Sequence, residues 1–382
     1  MSLQLDAIIA AARTQTGLSD FGPWDPFLQA MDVFIKSANK DGALSENGEY
    51  GVQQQLTAGA AAFLLAVNYR KLFPQAFEQP VEKPVFILGL PRSGTTKLQR
   101  MVAASPDLNF LPTWQCLFPV PFSGDKTVHD DQRFEAAAIA ADQMNSAAAD
   151  LKTVHVFEPE EAEEESALLQ HTCLTRTWSY YIHAPDFVSW LNTADITPAY
   201  DFLRDCLQIL QWQDNKTGKP WVLKAVIHTE NLTMLTRTFP DASLVWCHRD
   251  PVEAVPSWCS LIAQIRGLFS EDIDAKKLGA EQQQVLADMI LPGVEWRRQN
   301  PERRILDLSY QRTVKEGESV IRELHEFAGW TLSDKALTAM LAWESANQKD
   351  KHGRHRYSLE QYGLDEAGVR TAFAEYIAAY IQ

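Results

Sequence analysis

Residues 91–96, PRSGTT, combine the residue types that bind a phosphate or sulfate group. They follow an apolar run, and Gly89 and Gly94 have the G-x-x-x-x-G spacing of a phosphate-binding loop. Thr95 stands where nucleoside-triphosphate enzymes have the lysine that reaches the β- and γ-phosphates. The loop therefore predicts that backbone N–H groups, hydroxyls and Arg92 bind a ligand with a single phosphate-like group at this position. The predicted contact residues are Pro91, Arg92, Ser93, Gly94, Thr95 and Thr96.

A second candidate anion site follows the apolar run at 243–248. If that run is a buried strand, Arg249 lies at its carboxyl end, where ligands bind in open α/β sheets. Ser257 follows eight residues later, about two turns along a predicted helix. The pair could together bind a second phosphate. The alternative is a surface ion pair between Arg249 and Asp250 or Glu253.

Together, the two motifs resemble those of the sulfotransferase family, whose donor is 3′-phosphoadenosine 5′-phosphosulfate. The family's 5′-phosphosulfate loop reads P-[KR]-S-G-T-T, and its 3′-phosphate motif has an arginine followed eight residues later by a serine. Both patterns are present here without a gap. Residues 221–251 are similar to a segment of bacterial members, and HGRHRYSLEQYGL at 352–364 is similar to their C-terminal signature. In cytosolic relatives a basic loop there closes over the 3′-phosphate, which implies a donor contact for Arg354.

The resemblance implies in-line transfer of a sulfuryl group from this donor to a hydroxyl or amine of a small-molecule acceptor. Arg92 is then expected to stabilise the bridging oxygen of the leaving 5′-phosphate, with Lys224 as a second cation. No metal ion is expected, because a donor without β- and γ-phosphates does not need the Mg²⁺ that nucleoside-triphosphate enzymes hold.

The reaction also needs a general base, and several side chains are candidates. The acidic run EPEEAEEE at 158–165 contains Pro159, a residue typical of a helix first turn. A glutamate in this helix recurs in the bacterial relatives, and that similarity ranks Glu165 first. The alternatives are Glu164, His155, His171 and His228. His228 could instead orient the donor.

Two other functions remain open from the residues alone. The first is a small-molecule kinase with a degenerate phosphate loop, which lacks both the lysine and a convincing acidic Mg²⁺ ligand. The second is a protein that binds adenosine bisphosphate without turnover. Gln115 makes this conceivable, because bacterial relatives often have a glutamate at that place after a tryptophan and an amide cannot accept a proton.

The elements that must position these residues are those of an α/β fold. Short apolar runs at 84–90, 221–226, 243–248 and 303–309 alternate with helical patterns, which predicts a parallel sheet flanked by helices. Residues 1–82 are expected to form a helical N-terminal extension. Residues 83–382 are expected to form the main domain, with a mainly helical insertion at 107–215 covering the acceptor side.

Composition limits the partners. The formal charge of −15 is unfavourable for general nucleic-acid binding. The five cysteines show no metal-binding or redox spacing, which favours a reduced, cytoplasmic protein. The most apolar stretch, at 58–67, is far shorter than the roughly 20 residues that span a bilayer. The sequence leaves the acceptor's identity and the oligomeric state undetermined.

Overall fold

The computed structural model describes residues 2–23, 25–122, 131–147, 158–214, 216–347 and 357–381. Within them, four parallel strands form one sheet in the order β2-β1-β3-β4. The strands are β1 (Val85–Gly89), β2 (Val222–Lys224), β3 (Ser243–His248) and β4 (Ile305–Ser309). The predicted parallel α/β sheet is therefore confirmed, and each predicted run contains a strand.

Helices precede the sheet in the sequence, and more helices connect β1 to β2. The N-terminal helices are α1 (Leu5–Thr16), α2 (Asp25–Asp41) and α3 (Glu46–Leu72). The helix after β1 is α4 (Thr95–Ala103). Between α4 and β2 lie α5 (Thr113–Leu117), α6 (Asp131–Ala147), α7 (Ser166–His171), α8 (Thr177–Tyr181), α9 (Pro185–Leu191) and α10 (Thr197–Gln213).

The remaining helices follow β2. A 3₁₀ turn, Val226–Glu230, leads from β2 into α11 (Leu232–Thr238). The helices between β3 and β4 are α12 (Pro251–Arg266) and α13 (Ala275–Gln299). After β4 come α14 (Tyr310–Lys315), α15 (Gly317–Ala328), α16 (Asp334–Ala346), α17 (Glu366–Ala372) and α18 (Ala374–Tyr380).

Strand β1 is buried on both faces, which explains its unbroken apolar sequence. Phe86 and Leu88 lie in a core cluster that includes residues of the N-terminal helices, α10 and α12. Val85 and Ile87 lie in a second cluster with residues of α4, α15 and α16. The side chains of one strand thus alternate between two cores, as strand geometry requires.

The N-terminal helices share the first of these cores with the sheet. The Phe63 ring of α3 lies 5.1 Å from the Phe202 ring of α10 and 4.5 Å from the Phe27 ring of α2. All three rings are fully buried. The predicted domain boundary at 82/83 remains a prediction.

The carboxyl end of β1 passes very close to β3. Gly89 has a φ of 128°, and a Cβ added there would lie 2.2 Å from the carbonyl oxygen of Cys247. Only glycine adopts this backbone without strain and leaves room for the neighbouring strand. The chain leaves the sheet directly after Gly89 and begins the loop at 90–94.

We expect Gly89→Ala to lower the free energy of unfolding by about 3 kcal/mol or more, because it combines backbone strain with a backbone clash. Gly218→Ala is the matched control, since Gly218 also has a positive φ, 85°, but has nothing within 4 Å of an added Cβ. The control should cost about 1 kcal/mol. Urea unfolding of the two variants measures the difference, and equal destabilisation would show that the contact with Cys247 is unimportant.

Candidate functional site

The loop between β1 and α4 has the geometry of an anion site. Gly94, with a φ of 90°, immediately precedes Thr95, the first residue of α4. Arg92 also has a positive φ, 69°, which is uncommon for a residue with a side chain. Ser93 Oγ donates to the Leu90 carbonyl oxygen at 2.6 Å and closes the turn. The loop thus leads into a helix N-terminus, whose first N–H groups have no partner within the helix.

Lys97 does not replace the missing loop lysine. Its ammonium group donates to the carbonyl oxygens of Thr313 and Val314, at 3.1 and 3.0 Å, and to Glu344 at 2.8 Å. These contacts tie α4 to the end of α14 and to α16. The Lys97 side chain therefore connects α4 to α14 and α16.

The second motif lies against the loop. Arg92 Nε donates to Ser257 Oγ at 3.1 Å, and Arg249 Nη1 donates to the Arg92 carbonyl oxygen at 2.7 Å. The Arg249 guanidinium carbon lies 4.2 Å from the centre of the Tyr310 ring. The structure thus brings together Arg92, Arg249 and Ser257, which are far apart in the sequence.

The start of α12 positions Arg249 and Ser257. Asp250 accepts from the Val252 N–H at 2.9 Å and caps the helix, and Pro251 occupies its first turn. The alternative predicted for Arg249 is also present, since Glu253 accepts from its Nε at 3.0 Å. Glu253 is mostly exposed, and such a pair contributes little to stability. Arg249 therefore contacts the loop and a surface carboxylate at once.

The electrostatics around Arg92 favour an anionic ligand. Burial lowers the pKa of its guanidinium, and the nearby charge of Arg249 lowers it further. Tyr357, at the start of the last described range, is close enough to affect the same group. Arg92 nevertheless stays charged at neutral pH, because a guanidinium is not deprotonated in proteins. A bound anion would lower the energy of two cations held at such close range.

Two consecutive carboxylates contact Lys224, the last residue of β2. The Glu164 carboxylate forms an ion pair with the Lys224 ammonium group, which also donates to Thr96 Oγ1 at 3.2 Å. Glu165 Oε2 accepts from the backbone N–H of Lys224 at 2.8 Å. Lys224 and Glu165 are both 0 % exposed, whereas the side chain of Glu164 is 28 % exposed. Of the two carboxylates, only Glu164 has substantial access to solvent.

The 3₁₀ turn after β2 joins these residues to the loop. His228 Nε2 donates to Glu165 Oε1 at 3.0 Å, and its Nδ1 lies 2.9 Å from the Tyr200 hydroxyl. Thr229 Oγ1 accepts from the Gly89 N–H at 3.2 Å. One short turn therefore contacts the first glycine of the loop and the buried carboxylate.

The other candidates lie elsewhere or cannot be placed. Burial lowers the pKa of His171 to about 4, and the ring bonds to the Cys116 carbonyl oxygen at 3.1 Å. Gln115 is buried, and its amide donates to Asp214 at 3.4 Å. The remaining two, His155 and Arg354, lie outside the described residues.

The acidic run at 158–165 is not the start of a helix, as its Pro159 had indicated. Helix α7 begins at Ser166, and Pro159 lies in a turn. The reason is that the backbone from 161 to 163 bonds to the segment before α5, as in the 2.9 Å bond from the Glu163 N–H to the Leu111 carbonyl oxygen.

Three contact residues were not predicted from the sequence. Tyr310 follows β4 directly, so its place at the carboxyl edge of the sheet was a usable signal. Thr229 is adjacent to His228 but has no distinctive spacing of its own. Tyr200 is one of several aromatic residues in a largely buried helix, and nothing in that pattern distinguishes it.

The His248 side chain, at the end of β3, is covered by α18. Its ring stacks on Tyr380 at 4.7 Å between centroids, and its Nε2 donates to Asp307 Oδ1 at 2.8 Å. Burial alone would raise the pKa of Asp307, but hydrogen bonds from Arg297 and His248 lower it to about 2. Aromatic and charged contacts thus hold the end of β3 immediately before Arg249.

The described ranges contain neither a metal-binding cluster nor a membrane-spanning helix. No group of three or more histidine, cysteine, aspartate or glutamate side chains there is arranged to hold a metal ion. None of the helices in those ranges has the length and apolar character needed to cross a bilayer.

Comparison with known proteins places the chain among sulfotransferases. A sequence model described as the sulfotransferase family matches residues 84–334. The chain is similar to sulfotransferase STF1 from Mycobacterium tuberculosis H37Rv, whose crystal structure superposes with a TM-score of 0.83. The two sequences are 26 % identical, and the match covers 97 % of this chain and 98 % of STF1. Sulfotransferase STF9 from Mycobacterium avium, which is 24 % identical in sequence, shares the fold with a TM-score of 0.87. That match covers 98 % of this chain and 96 % of STF9. No curated protein matches the chain.

We expect Thr229→Val to destabilise the protein by about 1–3 kcal/mol, because the buried Gly89 N–H loses its acceptor. Thr57→Val is the matched control, since that buried hydroxyl donates within its own helix, to the Gln53 carbonyl oxygen at 2.8 Å. The control should cost less than about 1 kcal/mol. Urea unfolding measures both, and equal losses would contradict a special role for the bond to Gly89.

Proposed function

The chain belongs to the sulfotransferase family, and we propose that its donor is 3′-phosphoadenosine 5′-phosphosulfate and its acceptor a hydroxyl or amine of a small molecule. The observation that carries the proposal is the contact between Arg92 and Ser257, 3.1 Å, which joins the two motifs. A nucleotide with a charged group on each side of its sugar matches two adjacent anion sites. A triphosphate chain would need the loop lysine that is absent here.

Each motif is assigned one end of the donor. The backbone N–H groups of the loop and the hydroxyls of Thr95 and Thr96 bind the 5′-phosphosulfate at the start of α4. Arg249 and Ser257 bind the 3′-phosphate from the start of α12. Support comes from the position of Arg249, whose guanidinium already bonds to the loop backbone at 2.7 Å.

The transfer step needs cations near the leaving group. The bond between sulfur and the bridging oxygen breaks, a bond from sulfur to the acceptor atom forms, and the bridging oxygen gains negative charge. Arg92 and Lys224 are proposed to stabilise that charge. Lys224 is suited to this because its ammonium group lies 3.2 Å from Thr96, in the first turn of α4.

Glu164 is the better proposal for the general base. Glu165 was ranked first from the sequence, but it is fully buried and both its oxygens already accept hydrogen bonds. Glu164 is partly exposed and pairs with Lys224. Its carboxylate would therefore accept the acceptor's proton next to the cation that is assigned to the transferring group. Burial raises the pKa of Tyr181, and the nearby charge of Glu164 raises it further.

The other assignments remain proposals. The segment between α4 and β2 carries Glu164, just before α7, and Tyr181 in α8, and it is proposed to form the acceptor side. A reaction of this kind uses the donor as co-substrate and is proposed to proceed without a metal ion. A cytoplasmic location and a donor contact for Arg354 stay predictions.

We expect Arg249→Ala to weaken binding of adenosine 3′,5′-bisphosphate by about 10- to 100-fold, because charge-assisted hydrogen bonds to phosphate are lost. Arg322→Ala is the control. Like Arg249, Arg322 is paired with a glutamate four residues away, in this case Glu318, but it lies on the exposed face of α15. Titration calorimetry measures both affinities. Unchanged binding in Arg249→Ala would refute the 3′-phosphate assignment, and binding of ATP with Mg²⁺ in place of the bisphosphate would favour a kinase.

Glu164→Gln is expected to lower kcat by about 10²- to 10⁴-fold, because the amide cannot accept a proton, while bisphosphate binding is retained. Glu160→Gln provides the control, an exposed acid in the same run. Transfer of labelled sulfate to a library of acceptors measures the rates. Full activity in Glu164→Gln would remove this residue from the chemistry.

A further inference from the structure

Lys224 is held on two sides by two neighbouring residues of the chain. Glu164 pairs with its ammonium group, and Glu165 accepts from its backbone N–H at 2.8 Å. A buried ammonium group destabilises the protein unless it is paired, so its position relative to its partners has to be well determined. Glu165 contributes to that position without contacting the ammonium group.

Glu165 is itself held by a chain of buried hydrogen bonds. His228 Nε2 lies 3.0 Å from Glu165 Oε1 and His228 Nδ1 lies 2.9 Å from the Tyr200 hydroxyl. A carboxylate oxygen only accepts, so the proton on the Nε2 side belongs to the ring, and a neutral ring accepts from Tyr200 at Nδ1. The Phe86 ring stands edge-on to the imidazole, with the centroids 5.3 Å apart. The orientation of His228 is therefore determined on three sides.

We propose that Glu165, His228 and Tyr200 form a positioning relay that fixes the end of β2 and so places the Lys224 ammonium beside the phosphosulfate loop. This inference rests on the proposed function, because it assigns the relay's effect to the transfer step. It also revises the sequence-based prediction that Glu165 is the base and His228 a catalytic or donor-orienting residue.

The relay and the loop depend on the same turn. His228 and Thr229 are consecutive residues in Val226–Glu230, and Thr229 accepts from the Gly89 N–H at 3.2 Å. Glu165 connects His228 to Lys224, while Thr229 bonds to Gly89, which precedes the loop at 90–94. Because Lys224 is assigned to a charge that develops only during transfer, the relay should affect turnover much more than nucleotide affinity.

The experiment compares Tyr200→Phe, Glu165→Gln and their combination with a matched control. Tyr180→Phe is the control, because the Tyr180 hydroxyl is buried and has no hydrogen-bond partner among the described residues. Each variant is assayed for kcat with labelled donor, for its dissociation constant with adenosine 3′,5′-bisphosphate, and for the pH dependence of kcat/KM.

Tyr200→Phe should lower kcat by about 3- to 10-fold and Glu165→Gln by about 10- to 100-fold. Bisphosphate affinity should stay within about twofold of wild type, and the double variant should be no slower than Glu165→Gln, as members of one unit are not additive. Glu165→Gln should also keep the fall in kcat/KM toward low pH, because Glu164 remains the group that must be unprotonated. Tyr180→Phe should match wild type.

Two results would overturn the relay. In the first, Tyr200→Phe is indistinguishable from Tyr180→Phe in kcat, a comparison that still decides the matter if Glu165→Gln fails to fold. In the second, Glu165→Gln loses the low-pH fall while Glu164→Gln retains it, which would make Glu165 the proton acceptor. A wild type that neither binds the bisphosphate nor transfers sulfate is a separate outcome, which refutes the proposed function together with the inference.

Discussion

The balance of charge around a buried lysine is the constraint on which the site depends. Lys224 ends in an ammonium group that is almost inaccessible to water, so the protein must supply the anion and hydrogen-bond acceptors that water would have supplied. Glu164 and Thr96 do so, and they come from the insertion before α7 and from the start of α4. Three distant parts of the chain must therefore fold correctly before that charge is tolerated, which couples the site to the sheet.

The same requirement explains how the site manages without the lysine of triphosphate-binding loops. That lysine reaches from the loop's own helix toward the β- and γ-phosphates. Here the Lys97 side chain bonds to α14 and α16 instead. The cations that contact the loop or the start of α4 are Arg92, Arg249 and Lys224. Arg92 lies in the loop itself, Arg249 follows the end of β3, and Lys224 is the last residue of β2. In the proposed function they contact the two charged ends of the donor and do not follow an extended phosphate chain.

Sequence reasoning predicted the elements correctly where the signal is local. The strand, glycine loop and helix around Gly94 form one continuous segment, and Arg249 and Ser257 lie on one strand–helix junction, so pattern and spacing were enough to place these residues on their elements. It did not separate Glu164 from Glu165, because adjacent residues share one local pattern and differ only in what the rest of the chain places around them. The contact of Tyr200 could not be predicted for the same reason. Its partner His228 lies in the turn after β2, so the pair forms only when that turn packs against α10.

The contact between Phe63, Phe27 and Phe202 links the N-terminal helices α2 and α3 to α10, the helix that carries Tyr200. In a genetic selection for inactive or temperature-sensitive alleles, lesions should therefore accumulate in the first seventy or so codons as well as around the loop. Such alleles would be rescued by lower growth temperature, whereas those that alter Arg92 would not.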